Sequence, residues 1–403
     1  MVMKFGGATV ATSDRMKAVA GRIVGARRRG NRVVVVVSAP GDMTDDLIAR
    51  ARRITPDPDH REMDMLLATG EQQSIALMAI ALKSLGCDAV SFTGPQVGIT
   101  TSGEHTQARI TKMSGDRIRK ALDQGRVVIV AGFQGETEEE EITTLGRGGS
   151  DLTAVAVAAD LGADVCELYK DVDGVFTADP RVVPDARKLT RISYDEMIEM
   201  ASLGSQVLFN RSVEFAKKNG IVLHVRSSTK PDEGTRIDEE GHAMEGYVIS
   251  AVTHTKKEAK LTILRVPDRP GVAAIIFGRL ASEQVNVDII VQNISEDGTT
   301  NLSFTVSLDD LPKARTLMEA LIKETGAEGF QADDRIGKVS VVGVGMRTHS
   351  GVAATMFEAL ADKGINIQMI STSDIKISCV VDQDQVEDAV RAVHARFKLD
   401  QAR

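Results

Sequence analysis

Short apolar runs alternate with longer amphipathic stretches over the N-terminal part of the chain. The runs are rich in valine and isoleucine, which predicts strands over 2–5, 32–38, 89–92, 126–133, 164–169 and 221–226. Apolar positions three or four apart predict helices over 12–29, 44–53, 61–85, 116–124, 150–161, 194–201 and 211–218. This alternation indicates an α/β fold with a mostly parallel sheet sandwiched by helices. The run 33–37 is entirely valine and too short to span a membrane, so we interpret it as a central strand.

The C-terminal part contains an internal repeat at an offset of 80 residues. A polar, glycine-containing stretch over 231–245 marks a domain boundary before it. Each copy predicts the order strand, helix, strand, strand, helix. The second copy lacks a closing strand, which residues 247–253 could supply from upstream. The recurring segments are Gly271-Val272-Ala273-Ala274 with Gly351-Val352-Ala353-Ala354, and Phe277 and Leu280 with Phe357 and Leu360.

A glycine-rich stretch over 143–151 lies between a predicted strand and a predicted helix. The first turn of a helix presents unpaired N–H groups and the positive end of the helix dipole, and glycines let that backbone approach an anion. Arg147 adds a guanidinium fork that matches a carboxylate or a phosphate. Alternatively, Ser150 or Asp151 only caps the helix and the glycines only shape a turn. The stretch by itself leaves both readings open.

Composition excludes several classes of function. A chain of 403 residues is long enough for two or three domains, and a net charge of −8 argues against a general nucleic-acid partner. Tryptophan is absent, so no base-stacking surface stands out. Cys87, Cys166 and Cys379 are far apart, which indicates no disulfide framework or metal site and fits a reducing cytoplasm. The N-terminus lacks the apolar core of a signal peptide, and we expect no membrane partner.

Four stretches in order, followed by the repeat, resemble the aspartate kinases of the amino-acid kinase superfamily. They are Lys4-Phe5-Gly6-Gly7, Glu62-Met63-Asp64 through Gly70-Glu71, residues 145–151, and the run 171–181. The repeat resembles the paired ACT regulatory domains of that family, which are α+β and ferredoxin-like. The resemblance implies a catalytic domain over 1–235, a linker and strand over 236–258, and ACT domains over 259–333 and 334–403.

The resemblance implies that ATP, carried with Mg²⁺, phosphorylates the side-chain carboxylate of L-aspartate. The product is 4-phospho-L-aspartate, the first intermediate toward lysine, threonine and methionine. The carboxylate is already a nucleophile near pH 7, so no general base is needed. Consistent with this, the chain contains neither a Walker-type loop nor a protein-kinase catalytic loop.

The family motifs assign the site residues by position. Lys4 and Asp151 are expected beside the transferring phosphate. Aspartate is expected to contact Thr44, Glu71, Arg147, Gly148, Gly149 and Ser150. The nucleotide is expected to contact Lys4, Gly6, Gly7, Ser38, Lys170, Asp171, Phe176, Asp179, Arg181 and Gln206. Two departures stand out: Ala8 replaces the usual hydroxyl residue, although Thr9 keeps the next one, and Gln206 replaces a lysine that binds ATP in many relatives.

The resemblance to the aspartate kinases also implies that the enzyme is regulated. Feedback inhibition by lysine, threonine or both is expected at an interface between ACT domains of two chains, which makes the protein a homo-oligomer. The predicted effector residues are Gly271, Val272, Ala273, Asp288 and Gln292 of one chain, with Ile365, Asn366, Ser371 and Thr372 of a partner. An internal start at Met244 would add a shorter ACT-only chain to the assembly.

Two other functions compete with this prediction. The first is another enzyme of the superfamily, which would phosphorylate glutamate, acetylglutamate or UMP. Glu71, Arg147 and the tandem repeat disfavour it. The second is a non-catalytic amino-acid sensor that uses only the ACT repeat, and the departures at Ala8 and Gln206 are its best support.

Overall fold

A computed structural model describes residues 1–205, 207–241, 248–294, 298–347 and 349–401. Gln206, Met244 and Tyr247 therefore lie outside the described residues. The chain forms two compact units. The first contains Met1–Phe176, Lys188–Ser202 and 207–241, and the second contains Thr177–Arg187, Leu203–Ser205 and 248–401. Residues 177–187 thus belong with the C-terminal part of the chain, although they lie within the N-terminal part of the sequence.

The first unit is built on an eight-stranded sheet, which confirms the predicted α/β class. Its strand order is β10-β12-β11-β9-β1-β2-β6-β3, and the strands from β11 to β3 are all parallel. The valine strand β2 is central and buried, as predicted. The strands are β1 Val2–Phe5, β2 Val34–Val37, β3 Ala89–Phe92, β6 Val127–Ala131, β9 Cys166–Lys170, β10 Arg191–Ser193, β11 Leu223–Ser227 and β12 Thr235–Asp238.

Helices cover this sheet on both faces. Alternate residues of β1, Met3 and Phe5, pack into a core with α1 and α3. The intervening residue, Lys4, reaches the N-terminal end of α5 instead. The helices are α1 Ser13–Arg28, α2 Met43–Ile54, α3 His60–Ser84, α4 Asp116–Asp123, α5 Gly149–Leu161, α6 Tyr194–Ser202 and α7 Asn210–Asn219.

Helix α3 is long and apolar enough to cross a membrane by length and composition alone. However, half of its most apolar 18-residue window is buried within the protein, and its buried residues include two acids, Asp64 and Glu71. Carboxylates are buried only where protein groups or ligands compensate them. We therefore interpret α3 as a core helix of the first unit.

A small second sheet was missed by the sequence pattern. Its order is β5-β4-β7-β8, and its strands are only three or four residues long: β4 Ile99–Thr101, β5 Ile110–Met113, β7 Gln134–Glu136 and β8 Ile142–Thr144. Strands this short show too little periodicity to be recognised. The sheet is important for the site because β8 leads directly into the glycine-rich stretch.

The second unit contains the two copies of the repeat as two four-stranded sheets. The first has the order β15-β16-β14-β17 and the second β13-β18-β20-β19. The strands are β13 Ala251–Thr255, β14 Glu258–Pro267, β15 Val287–Ile294, β16 Thr299–Ser307, β17 Gly329–Asp333, β18 Ile336–Val342, β19 Met369–Thr372 and β20 Lys376–Asp382. The helices are α8 Val272–Ser282, α9 Leu311–Thr325, α10 Val352–Ala361 and α11 Val386–Arg396.

The upstream closing strand is confirmed, with a shift in position. Strand β13 precedes both copies in sequence and pairs antiparallel with β18 of the second copy. It begins at Ala251 rather than near residue 247. A short apolar stretch predicts the existence of a strand reliably. It predicts the first residue of the strand less well, because no turn residue marks the start here.

Candidate active site

Four neighbouring parallel strands of the large sheet end at one edge. They are β9, β1, β2 and β6, and the chain continues from them at Asp171, Gly6, Ser38 and Gly132. In open α/β sheets, ligands bind at the carboxyl ends of the strands. The first turn of α5 lies at the same edge, because Lys4 of β1 contacts it. This edge is the candidate site.

A buried carboxylate with a lysine on each oxygen forms the centre of the site. Asp151 is 1% exposed and lies in the first turn of α5, where the helix dipole favours a negative charge. Lys4 Nζ lies 2.6 Å from its Oδ1, and Lys170 Nζ lies 2.5 Å from its Oδ2. The three side chains together carry one net positive charge.

The ionisation of this centre follows from its neighbours. Burial by itself favours a neutral Asp151, but Lys170 and Lys4 outweigh burial and lower the pKa of Asp151 to about 2. Burial also lowers the pKa of Lys4, and Asp151 opposes that effect. An anion entering the site would therefore meet two ammonium groups that are held in place and only half neutralised.

The glycine pair after β1 leaves space for close approach. A Cβ at Gly6 would lie 3.7 Å from Lys4 Nζ, and a Cβ at Gly7 would lie 2.6 Å from the Ala39 carbonyl oxygen. Only glycine therefore fits at position 7 without moving the backbone. The Thr9 hydroxyl donates a hydrogen bond of 2.6 Å to the Gly6 carbonyl oxygen. It therefore supports the turn, and Ala8 is exposed beside it.

Glu71 places a second buried carboxylate at this edge. Its Oε1 accepts a hydrogen bond of 3.0 Å from the Ala39 N–H, just beyond β2. Within the described part of the chain, no group donates to its buried Oε2. Burial raises the pKa of Glu71 to about 7, although the Ala39 N–H and Lys4 favour the charged form. A buried acceptor without a donor is a natural partner for a ligand cation.

The glycine-rich stretch is held tightly on both sides. Gly148 has φ of 71°, and a Cβ there would lie 2.5 Å from the Phe209 ring. A Cβ at Gly149 would lie 2.8 Å from Leu145 Cβ. Arg147, in contrast, is exposed, and the described residues offer it no ion pair or hydrogen bond. Its guanidinium is thus available to a ligand.

The remaining predicted residues of the first unit differ in accessibility. Thr44 and Ser38 are half-buried at the start of α2 and the end of β2, and Ser150 is buried next to Asp151. Asp171 is exposed just after β9. Phe176 is half-buried and is the last residue of the stretch Met1–Phe176 of the first unit. Gln206 lies outside the described residues, so its predicted contact with the nucleotide stays a prediction.

Asp179 and Arg181 belong to the second unit. The Arg181 guanidinium and backbone N–H both bind the Asp179 carboxylate, with the closest contact, from Nη2 to Oδ2, at 2.7 Å. The stretch 171–181, which was predicted to contact the nucleotide, is therefore divided after Phe176 between the two units.

Sequence reasoning missed the roles of two groups that support the site, the buried Asp64 and the exposed Arg211. Asp64 of α3 accepts hydrogen bonds from the Thr144 hydroxyl at 2.5 Å and from the Thr106 N–H at 3.0 Å, so α3 is tied to β8. Arg211 of α7 donates to the carbonyl oxygens of Leu145 and Ala108 at 2.8 and 3.0 Å. Asp64 belongs to a recognised motif, whereas nothing in the sequence around Arg211 indicated its role.

The predicted effector residues fall into two places in the second unit. Gly271, Val272, Ala273 and Gln292 line one cavity of about 340 Å³ at the start of α8. Asp288 does not line it. Its carboxylate binds the Lys338 ammonium, which also lies 2.5 Å from Glu258 Oε1. Lys338 is 1% exposed; burial opposes its charge, but Glu258 and Asp288 outweigh burial and raise the pKa of Lys338.

The second copy contributes the other predicted effector residues. Ile365 is buried in the core of its own copy, and Asn366 beside it is exposed. Ser371 and Thr372 lie on β19, which is one of the two edge strands of its sheet, and β15 is one of the two edge strands of the other sheet. Both edges carry exposed isoleucines, Ile290 and Ile370. Unpaired edges with apolar residues are typical of surfaces that a partner covers.

The fold and the site define an α/β protein whose glycine-rich turns and ion-paired lysines are suited to anionic ligands. The model of the amino acid kinase family matches residues 1–227, and that of the ACT domain matches residues 260–325 and 339–397. An aspartokinase from Mycolicibacterium smegmatis is 51% identical over 99% of this chain and 96% of its own. The chain therefore belongs to the amino acid kinase family, and within it to the aspartokinases, which are enzymes.

Solved structures agree with this assignment. E. coli aspartokinase III in complex with aspartate and ADP superposes with a TM-score of 0.81 at 25% identity, over 98% of this chain and 99% of that one. The same E. coli enzyme in complex with lysine and aspartate gives a TM-score of 0.75 at 25% identity and the same coverage. The first complex is described as the R-state and the second as the T-state.

Proposed function

We propose that the chain transfers the γ-phosphoryl group of ATP to the side-chain carboxylate of L-aspartate and releases ADP and 4-phospho-L-aspartate. The observation that carries the proposal is the ion-paired set Lys4, Asp151 and Lys170 at the carboxyl edge of the parallel sheet. The E. coli relative that binds aspartate and ADP supports the choice of both ligands.

The charged centre suits phosphoryl transfer. Catalysis of this reaction is mostly positioning and electrostatic stabilisation, because negative charge develops on the transferring oxygens. Lys4 and Lys170 would neutralise that charge, and Asp151 keeps both ammonium groups oriented until phosphate oxygens compete for them. The amides of Gly6 and Gly7 and the first turn of α5 would add hydrogen bonds to the same oxygens.

Aspartate would be held by its other charged groups. Glu71, with its unpartnered oxygen, takes the ammonium group, and Arg147 takes a carboxylate with its two-pronged fork. Thr44 and Ser150 add hydroxyl contacts, and Gly148 and Gly149 keep the loop close to the ligand. The side-chain carboxylate attacks as the nucleophile without losing a proton.

Mg²⁺ would accompany ATP and neutralise its phosphate charge when bound. Among the described residues, no group of three or more histidine, cysteine, aspartate or glutamate side chains is arranged to hold a metal ion. Asp151, the buried acid nearest the proposed phosphate position, already has a lysine on each oxygen. These residues fit a metal that is carried by the phosphates, and Asp171, exposed after β9, is the acid that would approach it.

A substrate panel with the purified protein tests the proposal. We expect ADP formation to depend on L-aspartate and to be negligible with glutamate, acetylglutamate or UMP. ADP formation with one of those substrates instead would identify a different enzyme of the superfamily. Binding of lysine or threonine without any turnover would identify an amino-acid sensor.

Replacing Arg147 by lysine is expected to raise KM for aspartate about thirtyfold. Lysine keeps the charge but loses the bidentate geometry, and an exposed contact of this kind contributes about 2 kcal/mol. Steady-state kinetics with each substrate varied in turn checks this. KM for ATP serves as the internal control and should stay within about twofold. A rise in KM for ATP alone would place Arg147 at the nucleotide.

Feedback inhibition by lysine, threonine or both is the second part of the proposal. The E. coli relative in complex with lysine supports lysine as an effector. The cavity at the start of α8 offers backbone N–H groups to an amino-acid carboxylate. Asp288 lies outside the lining of this cavity and binds Lys338, so it would take the ligand's ammonium group in exchange for Lys338. Residues Ile365, Asn366, Ser371 and Thr372 of a second chain would complete the site. The exposed edges β15 and β19 support such pairing.

Replacing Asp288 by asparagine is expected to raise the lysine or threonine concentration for half-inhibition at least tenfold. Asparagine removes the charge but still offers an oxygen to Lys338, so the fold is perturbed little. Uninhibited kcat should stay within about twofold, because effector binding shifts a conformational equilibrium rather than the chemistry. Asp309→Asn, at an exposed acid in the same ACT copy, is the matched control. Unchanged inhibition of the Asp288 variant by both amino acids would place the effector elsewhere.

Several finer points remain part of the proposal. Family membership supports production of lysine, threonine and methionine precursors, a cytoplasmic location and a homo-oligomer paired through ACT domains. The same holds for the domain boundaries at 235, 258 and 333, and for a shorter chain starting at Met244. Intact-mass analysis of the natively expressed protein would detect such a chain.

A further inference from the structure

The loop between β4 and β5 lies against the glycine-rich stretch. The Ala108 N–H in this loop donates a hydrogen bond of 2.9 Å to the Thr144 carbonyl oxygen. A Cβ at Gly146 would lie 3.1 Å from the Thr106 carbonyl oxygen, so the two backbones are close together there as well. Arg147 follows Gly146 directly. The position of its guanidinium therefore depends on how this loop holds the stretch.

The loop and the stretch are joined at two points. Asp64 of α3 is completely buried. Its carboxylate accepts hydrogen bonds from His105 Nδ1 at 2.8 Å, from the Thr106 N–H at 3.0 Å and from the Thr144 hydroxyl at 2.5 Å. Arg211 provides the second point, because it binds a carbonyl oxygen in each of the two segments.

Thr106 has an unusual backbone conformation. Its φ of 67° lies in the left-handed region, which a β-branched residue rarely adopts. Such strain persists only where the surrounding structure imposes it, and it is concentrated at functional sites. Here the Thr106 N–H lies 3.1 and 3.0 Å from the two carboxylate oxygens of Asp64. Asp64 therefore imposes a loop conformation that the local sequence disfavours.

His105 is the side chain that Asp64 binds in this loop. A carboxylate can only accept hydrogen bonds, so Nδ1 of the imidazole is the donor. The side chain is 22% exposed, and Nε2 has no hydrogen-bond partner among the described residues. The imidazole could thus act through Nδ1 on the loop or through Nε2 on a ligand. The strained backbone beside it and the shared carboxylate favour the action on the loop.

We propose that His105 is a positioning residue for L-aspartate. Its hydrogen bond to Asp64 holds the loop between β4 and β5 against the glycine-rich stretch, and thereby places Arg147 for a substrate carboxylate. This inference rests on the proposed function, in which Arg147 binds aspartate. The imidazole itself neither touches the substrate nor takes part in the phosphoryl transfer. All of these residues belong to the first unit.

Kinetics of three full-length variants at position 105 test the inference. In His105→Asn the amide nitrogen takes the place of Nδ1 and can still donate to Asp64. In His105→Gln the amide nitrogen takes the place of Nε2 instead, and His105→Ala lacks both nitrogens. We expect KM for aspartate to rise about tenfold in the alanine and glutamine variants, because a buried hydrogen bond to a charged group is lost. It should stay within twofold in the asparagine variant, and kcat and KM for ATP should stay within twofold in all three.

A double variant and a matched control sharpen the test. If His105 acts through Arg147, adding His105→Ala to Arg147→Lys should raise KM for aspartate by less than about threefold more, because both changes weaken one contact. Tyr194→Phe is the control. It removes a buried hydrogen bond of 2.7 Å to the Ile221 carbonyl oxygen, just before β11 and at the opposite edge of the same sheet. It should leave KM for aspartate unchanged.

The outcomes separate the inference from the proposed function. KM for aspartate near the original value in His105→Ala, or an equal rise in Tyr194→Phe, would overturn the inference. Fully additive effects in the double variant would do the same. A rise in His105→Asn without one in His105→Gln would also overturn it and make His105 a direct ligand of aspartate through Nε2. Absence of aspartate-dependent ADP formation in the unmodified protein would instead overturn the proposed function.

Discussion

Replacing Lys4 by alanine is expected to lower kcat about a hundredfold or more while KM for aspartate changes less than threefold. Lys4 is buried, and its ammonium group is fixed by Asp151 at the carboxyl edge of the sheet. A preorganised charge of this kind acts mainly on the transition state, where the phosphoryl oxygens carry the most negative charge. Steady-state kinetics at saturating ATP measures this effect.

Two further variants define what the result means. Asp151→Asn should lower kcat to a similar extent, because Lys4 and Lys170 would then lack the carboxylate that orients both. Lys17→Ala, at an exposed lysine of α1, should leave kcat unchanged and controls for a general effect of charge. A kcat near the original value in both Lys4→Ala and Asp151→Asn would show that the centre is structural only.

Replacing Glu71 by glutamine is expected to raise KM for aspartate about a hundredfold, which corresponds to about 3 kcal/mol. The glutamine keeps the shape and can still accept the Ala39 hydrogen bond, but it cannot balance the charge of the ligand ammonium. Because the contact is buried, its loss is expected to exceed that at the exposed Arg147. Kinetics with aspartate varied at saturating ATP measures the change.

The pH dependence of KM for aspartate gives an independent check of the role of Glu71. Burial raises the pKa of Glu71 to about 7, and only its ionised form balances an ammonium group. KM for aspartate should therefore be constant well above pH 7 and rise about tenfold for each pH unit below it. Glu71→Gln should remove this rise, since its amide does not titrate in that range. An unchanged pH profile in the glutamine variant would assign the ammonium group to another acid.

The main sheet could be predicted from sequence because its strands are buried on both faces. Such strands are continuous valine and isoleucine runs, as in β2 and β6, and the pattern shows them directly. The small sheet could not be predicted, because its strands of three or four residues depend on hydrogen bonds between distant segments. Asp64 is an example: its partners Thr106 and Thr144 follow it by about 40 and 80 residues.

The candidate site, too, could be predicted from sequence only in part. Motifs identified Lys4, Glu71 and Asp151, and the structure brings Lys4 to Asp151, 147 residues later in the sequence. Motifs could not show that Lys170 binds the same carboxylate, because they assign residues to ligands and not to each other. The ion pair of Asp288 with Lys338 could not be predicted for the same reason, since Lys338 comes from the second ACT copy.

Residues 177–187 also limit how regulatory modules can be exchanged between aspartokinases in evolution or by engineering. Their side chains must fit both the chain that continues from Phe176 and the surface of β13 and α11. A foreign ACT pair joined after residue 241 would meet a segment selected for another surface, and unmatched buried groups would destabilise it. Successful fusions should therefore transplant residues 177–187 together with the ACT pair, as one structural unit that is discontinuous in the gene.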